Sequence, residues 1–388
     1  MAAVLGPRAL IDNAIPSGVD AGEIFRFEMQ EGMNAQEIIA LAATTIGEAN
    51  QYIFQRWGNM LYLTEMQYAF YRSGGASGMT PKAAEFSLPD SKRGQHQGHM
   101  LPLEDYDDAV SWSRRYLERA IREEILIDLE IIEEKWRNRC EFELLWRIFT
   151  RKENLIGQVG WDVGWVIGDN NENAPYVPPQ RGSRVFDDTI NHFYRVNAAM
   201  DAANALATIE KLAQWLSWQG HTGTKALMVS ENDLGIYQAM DSDKFVRIVP
   251  GAINVVQGGN SPLMTQAGAL EGIPGEVVGI VLTAYGQVEL RYHERIPAGR
   301  MFMSKPYGGN NRGNGLAIRT ERGKGFGMVV EPVRSRSLVP SLDMVLFSAS
   351  HGVGVNDRTN GAVAQIAAGA DDYEDPVPAD FGADIVEE

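Results

Sequence analysis

The chain has 388 residues, of which 44% are hydrophobic and 22% are charged, and its formal net charge is −16 at pH 7. This is ordinary globular composition, with enough length to bury a large core. The negative charge argues against a protein that coats nucleic acid or anionic membrane by electrostatic attraction. A single cysteine, Cys140, excludes an intrachain disulfide.

No targeting or membrane segment is expected from the sequence. Arg8 and Asp12 interrupt the only early apolar run, which argues against a signal peptide. No apolar stretch reaches the roughly 18 residues that a membrane span needs. We therefore expect a soluble protein that is made in a cytoplasm.

The first quarter of the chain alternates between helical and core-poor sequence. Residues 1 to about 34 mix glycine, proline and charge, which indicates an extended arm. Residues 35–57 have helical spacing, with a break expected near Gly47. Residues 72–103 are rich in glycine and proline and predict a long polar loop with little capacity for a core. A loop of this kind inside a compact domain is usually functional.

A long helix is predicted over residues 107–149. Asp107 or Asp108 can cap its start, and two helices joined by a bend are the alternative. Glutamates and arginines at i,i+4 spacing support the helix. Apolar residues recur at spacings of three, four or seven and form a stripe: Val110, Leu117, Ile121, Ile125, Leu129, Ile132 and Trp136.

A second helix is predicted over residues 187–219, with Asp187 or Asp188 as its cap and Gly220 after its end. The sequence KALMVS that follows has the character of a buried strand. Ser230 and Asp233 then form an S-x-x-D box, which predicts the start of a short helix.

The last third of the chain is rich in predicted strands and in glycine. It contains the segments GLAIRTE, FGMVVEPVRS, DMVLFSASHG and GAVAQIA. The final segment, ADDYEDPVPADFGADIVEE, is acidic and has almost no core residues, so it predicts a mobile tail.

Residues 285–306, YGQVELRYHERIPAGRMFMSKP, predict a hairpin with one charged, solvated face. His293 and Glu294 are adjacent, so strand geometry directs them to opposite faces. Three interpretations stay open: a solvated face, a catalytic dyad, or a charged face that meets a neighbouring subunit.

The sequence contains none of the common phosphate-binding, metal-binding or catalytic motifs considered below. The glycine-rich segments 308–315 and 322–327 do not match a phosphate-binding loop. His96 and His99 lack the cysteines or clustered carboxylates of a metal site, and Cys140 lies within a predicted helix. No G-x-S-x-G or H-E-x-x-H motif occurs, so we expect no catalytic, cofactor or metal site.

Basic residues cluster near two of the late strands. Contact with nucleic acid is one interpretation, and salt bridges with acidic neighbours are the interpretation favoured by the negative net charge. The cluster consists of Arg319, Arg322, Lys324, Arg334 and Arg336.

The order of the elements over residues 35–368 resembles the major capsid protein of tailed bacteriophages, an α+β protein with the HK97-like fold. The polar loop resembles the extended E-loop, and helix 107–149 resembles the spine helix of the P domain. TGTKALMVSENDLGIYQAM and YGQVELRYHERIPAGRMFMSKP are similar to elements of the A domain. FGMVVEPVRSRSLVPSLDMVLFSASHGVGVNDRTNGAVAQI resembles the closing strands.

The resemblance implies a division of the chain into an N-terminal arm with a helix, an E-loop, a P domain, an A domain and an acidic tail. The expected bounds are 1–61 for the arm, 62–104 for the E-loop, 105–165 and 318–357 for the P domain, 166–317 and 358–370 for the A domain, and 371–388 for the tail.

The resemblance also implies an icosahedral shell of pentamers and hexamers around double-stranded DNA, which is contacted only non-specifically. The implied partners are other copies of the chain, a scaffolding protein and a portal, with a decoration protein as a further candidate. The implied location is the virion capsid, assembled in the host cytoplasm. The candidate intersubunit contacts are Lys82, Lys92, Arg93, Glu289, Arg291, His293, Arg334 and Arg336.

Some members of this family form an isopeptide bond between a loop lysine and an asparagine of a neighbour. Lys82 and Lys92 are the candidate lysines, and Asn356 is a candidate acceptor. Two alternatives to a phage capsid remain. One is an encapsulin-type nanocompartment shell with the same fold, and the other is a hydrolase that uses His293 or His351.

Overall fold

The computed structural model confirms the α+β class. It describes the following residues: 35–73, 95–117, 119–151, 154–156, 159–167, 191–247, 254–258, 261–265, 272–334, 342–369 and 371–382. In these ranges, none of the helices has the length and apolar character needed to cross a membrane.

The described ranges contain five α-helices and 18 strands. The helices are α1 (Ala35–Trp57), α2 (Arg114–Leu117), α3 (Arg122–Phe149), α4 (Ala202–Trp218) and α5 (Leu234–Gln238). The strands of the first half are β1 (Leu61–Thr64), β2 (Tyr68–Ser73), β3 (Gln95–Met100), β4 (Glu104–Ser113), β5 (Asn154–Ile156), β6 (Val159–Trp161), β7 (Phe193–Val196), β8 (Lys225–Ser230) and β9 (Phe245–Arg247). The strands of the second half are β10 (Asn254–Gly258), β11 (Ser261–Thr265), β12 (Glu276–Thr283), β13 (Gly286–His293), β14 (Arg300–Ser304), β15 (Leu316–Thr320), β16 (Val329–Arg334), β17 (Leu342–Val355) and β18 (Ala362–Ile366).

Two larger sheets organise these strands. One has the order β1-β15-β17-β16, with β4 also paired to β17, and the other has the order β7-β18-β14-β8-β13-β12-β9. A four-stranded sheet, β2-β3-β6-β5, carries the hairpin formed by β2 and β3, and β10 pairs with β11. Helices cover the faces of the larger sheets, which gives two hydrophobic cores.

The first core lies between α1, α3 and the sheet that contains β17. Trp57, Trp136 and Phe347 are among its fully or nearly fully buried members. The second core lies between α4 and the seven-stranded sheet, where Leu212 packs with Leu227 and other strand residues. Burial of each large apolar side chain in these two cores contributes about 1.5–3 kcal/mol to stability.

Several predicted elements are confirmed. Residues 35–57 form the single helix α1, as predicted, but the expected break near Gly47 is wrong, because the helix continues through this residue. KALMVS is β8, and all six of its residues are buried. Ser230 Oγ accepts a hydrogen bond from the backbone N–H of Asn232 at 3.3 Å, so the predicted capping residue starts the helical turn before α5.

The predicted helix over residues 107–149 is wrong in its first part. Residues 104–113 form β4, and α3 begins only at Arg122. Ten residues of β4 pair with β17, and this long-range pairing overrides local helix preference. The alternation of Tyr106, Val110 and Trp112 is the period-2 signal that could have revealed the strand.

The rest of α3 agrees with the predicted stripe. Ile125, Leu129, Ile132 and Trp136 are buried. At the exposed end of the stripe, Ile121 precedes the helix and is not part of the core. The stripe therefore predicts the buried face of α3 correctly from its first turn onward.

The predicted helix over residues 187–219 also starts too early. Residues 187–190, with both predicted caps, lie outside the described residues. Strand β7 occupies 193–196 and pairs in parallel with β18. The cap of α4 is Asp201, whose Oδ1 accepts from the backbone N–H of Asn204 at 2.7 Å. Gly220 follows the helix with φ of 87°, a conformation that favours glycine.

The prediction of a core-free tail is wrong for residues 371–382. Tyr373 and Phe381 are buried, and the ring of Phe381 packs against α3. Tyr373 donates a hydrogen bond from its hydroxyl to the carbonyl of Phe149 at 2.7 Å. Two aromatic anchors in an otherwise acidic segment are enough to dock it, because each buries a large apolar area.

Candidate assembly surface

The hairpin of β2 and β3 has aromatic side chains on its outside. Tyr68 and Phe70 are 41% and 51% exposed, with ring centroids 5.8 Å apart, and Met66 before β2 is 62% exposed. The root of the hairpin is fixed, because Arg312 donates a hydrogen bond to the carbonyl of Phe70 at 3.1 Å. The subunit thus presents an apolar surface on an anchored hairpin, which is the character of a contact site for another molecule.

The hairpin predicted over residues 285–306 is wrong in its strand order. Strand β8 lies between β13 and β14: it pairs in parallel with β13 and antiparallel with β14. The antiparallel partner of β13 is β12. The short turn at Pro297 and Gly299 therefore carries the chain across β8 and does not join adjacent strands.

The charged face of β13 is also not solvated. Glu289, Arg291 and His293 are only 3%, 5% and 1% exposed. The opposite face of β13 contributes Val288 and Leu290 to the second core, so the strand is covered on both sides. Alternation of charged and apolar residues predicts a half-exposed strand, but here the charged side meets other elements of the same subunit.

Glu289 and Arg291 form a buried ion pair. Arg291 Nε lies 2.6 Å from Glu289 Oε1. The Arg291 guanidinium also donates to the carbonyls of Ile273 and Gly275, at 2.6 and 3.0 Å. The pair fastens the chain before β12 to β13. Its proposed contact with a neighbouring subunit stays a prediction, and burial within one subunit weighs against it.

A second charged cluster joins α1, α3 and the end of β13. Arg56 Nη1 lies 2.8 Å from Glu141 Oε1, and Arg295 Nε lies 3.8 Å from Glu141 Oε2. Arg56 Nη2 lies 3.2 Å from His293 Nε2. Burial raises the pKa of Glu141, and the two arginines oppose that rise. His293 is buried while Glu294 is exposed, so the two side chains are not placed to act as a dyad.

Three buried histidines make the folded state sensitive to acid. Burial, with nearby arginine charges, lowers the pKa of His99 and of His293 to about 3, and burial lowers the pKa of His192 to about 4. An unfolded histidine has a pKa near 6.5. These groups therefore stabilise the fold fully above about pH 6.5, and their contribution is lost as the pH falls towards the folded values.

When the pH is lowered from 7 to 5, we expect each of these histidines to reduce the free energy of unfolding by about 2 kcal/mol. Urea denaturation of the protein and of His293→Gln at both pH values measures this. Between pH 7 and pH 5, the free energy of unfolding of the variant should change by about 2 kcal/mol less than that of the unaltered protein. An unchanged pH dependence in His293→Gln would show that His293 is not held neutral.

His351, the other histidine proposed for a hydrolase besides His293, is also buried. His351 is buried between the rings of Tyr106, Trp136 and Phe326, and its Nε2 lies 3.0 Å from Glu143 Oε2. Burial favours a higher pKa for Glu143, but its hydrogen bonds with His351 and Arg139 hold the pKa below the ordinary value. This geometry locks α3 onto β17 and leaves the imidazole without access to a substrate.

Other candidate residues have clear positions or lie outside the described part of the chain. Cys140 is buried, and burial raises the pKa of its thiol, which disfavours the reactive thiolate. His99 is buried, and its Nε2 lies 2.5 Å from the carbonyl of Val355. Within the described residues, no group of three or more histidine, cysteine, aspartate or glutamate side chains is arranged to hold a metal ion.

Asn356 is poorly placed as an acceptor for an isopeptide bond. Its amide donates to the carbonyls of Arg312 and Asn314, at 2.7 and 3.0 Å, and its side chain is buried. The candidate lysines Lys82 and Lys92 lie outside the described residues. The crosslink therefore stays a prediction, and the burial of Asn356 counts against it.

The remaining contact candidates are only partly described. Arg93 and Arg336 lie outside the described residues, and of Arg334 the structure describes the backbone in β16, where it pairs with Asp343. In the basic cluster, Lys324 forms the expected kind of salt bridge, with Glu321 at 2.8 Å. Arg319 donates to the carbonyl of Leu101 at 2.8 Å.

Comparison with known proteins gives structural matches only. No protein-family model and no curated protein matches the chain. A solved structure from Mycobacterium phage Patience is 17% identical with a TM-score of 0.57, and the match covers 95% of this chain and 99% of that chain.

Two further matches have lower TM-scores. The mature capsid of bacteriophage PhiM1 is 11% identical with a TM-score of 0.46, over 80% of this chain and 86% of that chain. The SrpI encapsulin of Synechococcus elongatus PCC 7942 is 12% identical with a TM-score of 0.37, over 79% and 85%. The match to the Patience structure spans nearly the whole of both chains, and this protein has the HK97-like capsid fold.

Proposed function

We propose that the protein is the major capsid protein of a tailed phage and assembles into an icosahedral shell around double-stranded DNA. The observation that carries the proposal is the shared fold with a phage structure over 95% of this chain and 99% of that chain. The match extends along nearly the whole of both chains, so the proposal concerns the fold as a whole.

The surface of the subunit supports an assembly role. Tyr68 and Phe70 lie on the outside of an anchored hairpin, and the 21 residues from 74 to 94 connect its two strands. Those connecting residues include Lys82, Lys92 and Arg93, which we propose as contacts to a neighbouring subunit. Many weak contacts, repeated by symmetry, are sufficient to close a shell.

We propose the division of the chain that the sequence predicts. In this division the P domain contains α3 and the strands β4, β16 and β17, and the A domain contains α4 and the seven-stranded sheet. We propose pentamers and hexamers of this subunit in the virion capsid, formed in the host cytoplasm with a scaffolding protein and a portal. A decoration protein is a further candidate partner, and contact with packaged DNA is non-specific.

An encapsulin-type nanocompartment shell is the alternative, because the fold is common to both kinds of particle. The content of the particles distinguishes the two. Particles isolated from their natural source and treated with nuclease should contain protected double-stranded DNA if the protein is a phage capsid protein. Particles that contain an enzyme and no DNA would establish the alternative.

Deletion of residues 74–94, with β2 and β3 joined by a short glycine linker, is expected to leave a folded subunit that does not close shells. Ordering a loop costs about 1–2 kcal/mol per residue, and a contact outside the subunit core must offset this. Circular dichroism reports the fold, and sedimentation with negative-stain electron microscopy reports assembly.

Replacement of Tyr68 and Phe70 by serine is a matched test, because it keeps the loop and removes the exposed rings. Normal particles from both variants would contradict the assembly role of the hairpin. If the unaltered chain, supplied with its scaffold, stays a monomer or small oligomer, the shell function itself is wrong.

A further inference from the structure

The outward face of α3 carries a second apolar surface, separate from the β2–β3 hairpin. Ile127 and Ile131 are 56% and 48% exposed. They are four residues apart, so they lie one turn apart on the same side of the helix. The buried stripe of Ile125, Leu129 and Ile132 faces the core, which leaves these two isoleucines on the side away from it.

Glutamates surround the two isoleucines. Glu123, Glu130 and Glu134 are exposed on the same face of α3. Glu48 of α1 and Glu130 lie near Glu133. Burial raises the pKa of Glu133, the charge of Arg137 opposes this rise, and the negative charges of Glu48 and Glu130 add to it. The surface formed by Ile127 and Ile131 with this ring of glutamates is called the acidic isoleucine face below.

The basic side chains of α3 that lie nearest to the acidic isoleucine face are at its borders. Lys135 lies beyond it and contacts Asp108 at 3.4 Å, and Arg137 contacts Glu133 at 3.5 Å. Arg122 lies at the start of the helix. The centre of the face is therefore apolar with a negative rim.

The negative charge of the rim restricts which molecules can bind to the acidic isoleucine face. Nucleic acid and anionic membrane are repelled by it. A second copy of the same face would set glutamates against glutamates. Residues 1–34 of the chain contain two arginines and five acidic residues, so they share the negative sign. Residues 74–94 contain three basic and two acidic residues, which is nearly neutral.

We propose that the acidic isoleucine face is the docking site for an amphipathic helix of a different protein, with apolar residues flanked by lysine or arginine. A helix of this kind places apolar side chains on Ile127 and Ile131 and basic side chains against the glutamates, as in other helix-on-surface recognition. This interaction goes beyond the shell function and does not depend on it.

The test uses three labelled synthetic peptides and the full chain, with binding measured by fluorescence anisotropy. The first is an 18-residue helical peptide of leucine and lysine with one apolar face. The second has the same composition, but its residues are ordered so that no apolar face forms. The third is the first peptide with glutamate in place of lysine. We expect only the first to bind tightly.

Two variants locate the binding. Ile127→Ser combined with Ile131→Ser should weaken binding of the first peptide by about tenfold or more. Glu123→Lys, Glu130→Lys and Glu134→Lys together should reverse the preference to the glutamate peptide. Val377→Ser, which changes an exposed apolar residue on another surface, should leave binding unchanged. Circular dichroism verifies that each variant is folded.

Four outcomes would overturn the proposal. The first is that the first two peptides bind equally well, and the second is that neither variant changes the binding of the first peptide. The third is that a peptide with the sequence of residues 74–94 binds tightly at this face. The fourth is that the full chain self-associates and that the isoleucine variant does not. The third outcome would assign the face to residues 74–94 of this protein, and the fourth would assign it to a second copy of the chain.

Discussion

Replacement of Arg291 by methionine is expected to lower the free energy of unfolding by about 3–5 kcal/mol, the usual result when one partner of a buried ion pair is removed. Methionine preserves much of the aliphatic volume of arginine. The change removes the 2.6 Å contact with Glu289, which is 3% exposed, and the hydrogen bonds to the carbonyls of Ile273 and Gly275. Urea denaturation followed by circular dichroism measures the loss.

A second variant separates the ion pair from the packing. Combining Arg291→Met with Glu289→Gln removes the buried charge, so this double variant should recover part of the lost stability. Arg322→Met, at an exposed position, should change stability by less than about 0.5 kcal/mol. A loss of less than about 1 kcal/mol in Arg291→Met would mean that Glu289 is hydrated in solution and that the pair is not a structural anchor.

Replacement of Phe381 by alanine is expected to lower the free energy of unfolding by about 3–5 kcal/mol, as for other buried aromatic side chains. Phe381 is 2% exposed, and its ring lies 6.2 Å from the ring of Phe142, 6.2 Å from that of Trp146 and 6.0 Å from that of Phe149. The change leaves a cavity beside α3 and uncovers three aromatic rings.

Val377→Ala is the matched control in the same segment. Val377 is 56% exposed, and its hydrogen bond to Asp380 uses the backbone N–H, which the substitution keeps. Stability should change by less than about 0.5 kcal/mol. Limited proteolysis supplies a second measurement, because Phe381→Ala should expose residues 371–382 to cleavage while Val377→Ala should not. Equal behaviour of the two variants would show that the segment is not docked.

The candidate assembly surface was only partly predictable from the sequence. The glycine- and proline-rich sequence between Ser73 and Gln95 predicts a segment without a core of its own, and the exposed rings of Tyr68 and Phe70 lie at its base. The charged residues of β13 were the more conspicuous candidates, yet they are internal. A charge pattern does not reveal whether another part of the same chain covers it.

The composition and local pattern of the sequence determined several features of this protein. Helix α1, the buried stripe of α3 and the fully buried strand β8 follow from apolar spacing, because helical and strand periodicities are local properties of the chain. The negative net charge is likewise a property of composition.

Only the tertiary structure decided how the strands are ordered and which faces are buried. Residues 104–113 are a strand because β17 pairs with them, and β8 separates β13 from β14 although it lies far away in sequence. The acidic C-terminal segment is docked because α3 offers a surface for Phe381. Strand pairing and burial depend on contacts between residues that are distant in sequence. These contacts contribute several kcal/mol, whereas the local preferences used to predict structure from sequence contribute about 1 kcal/mol or less.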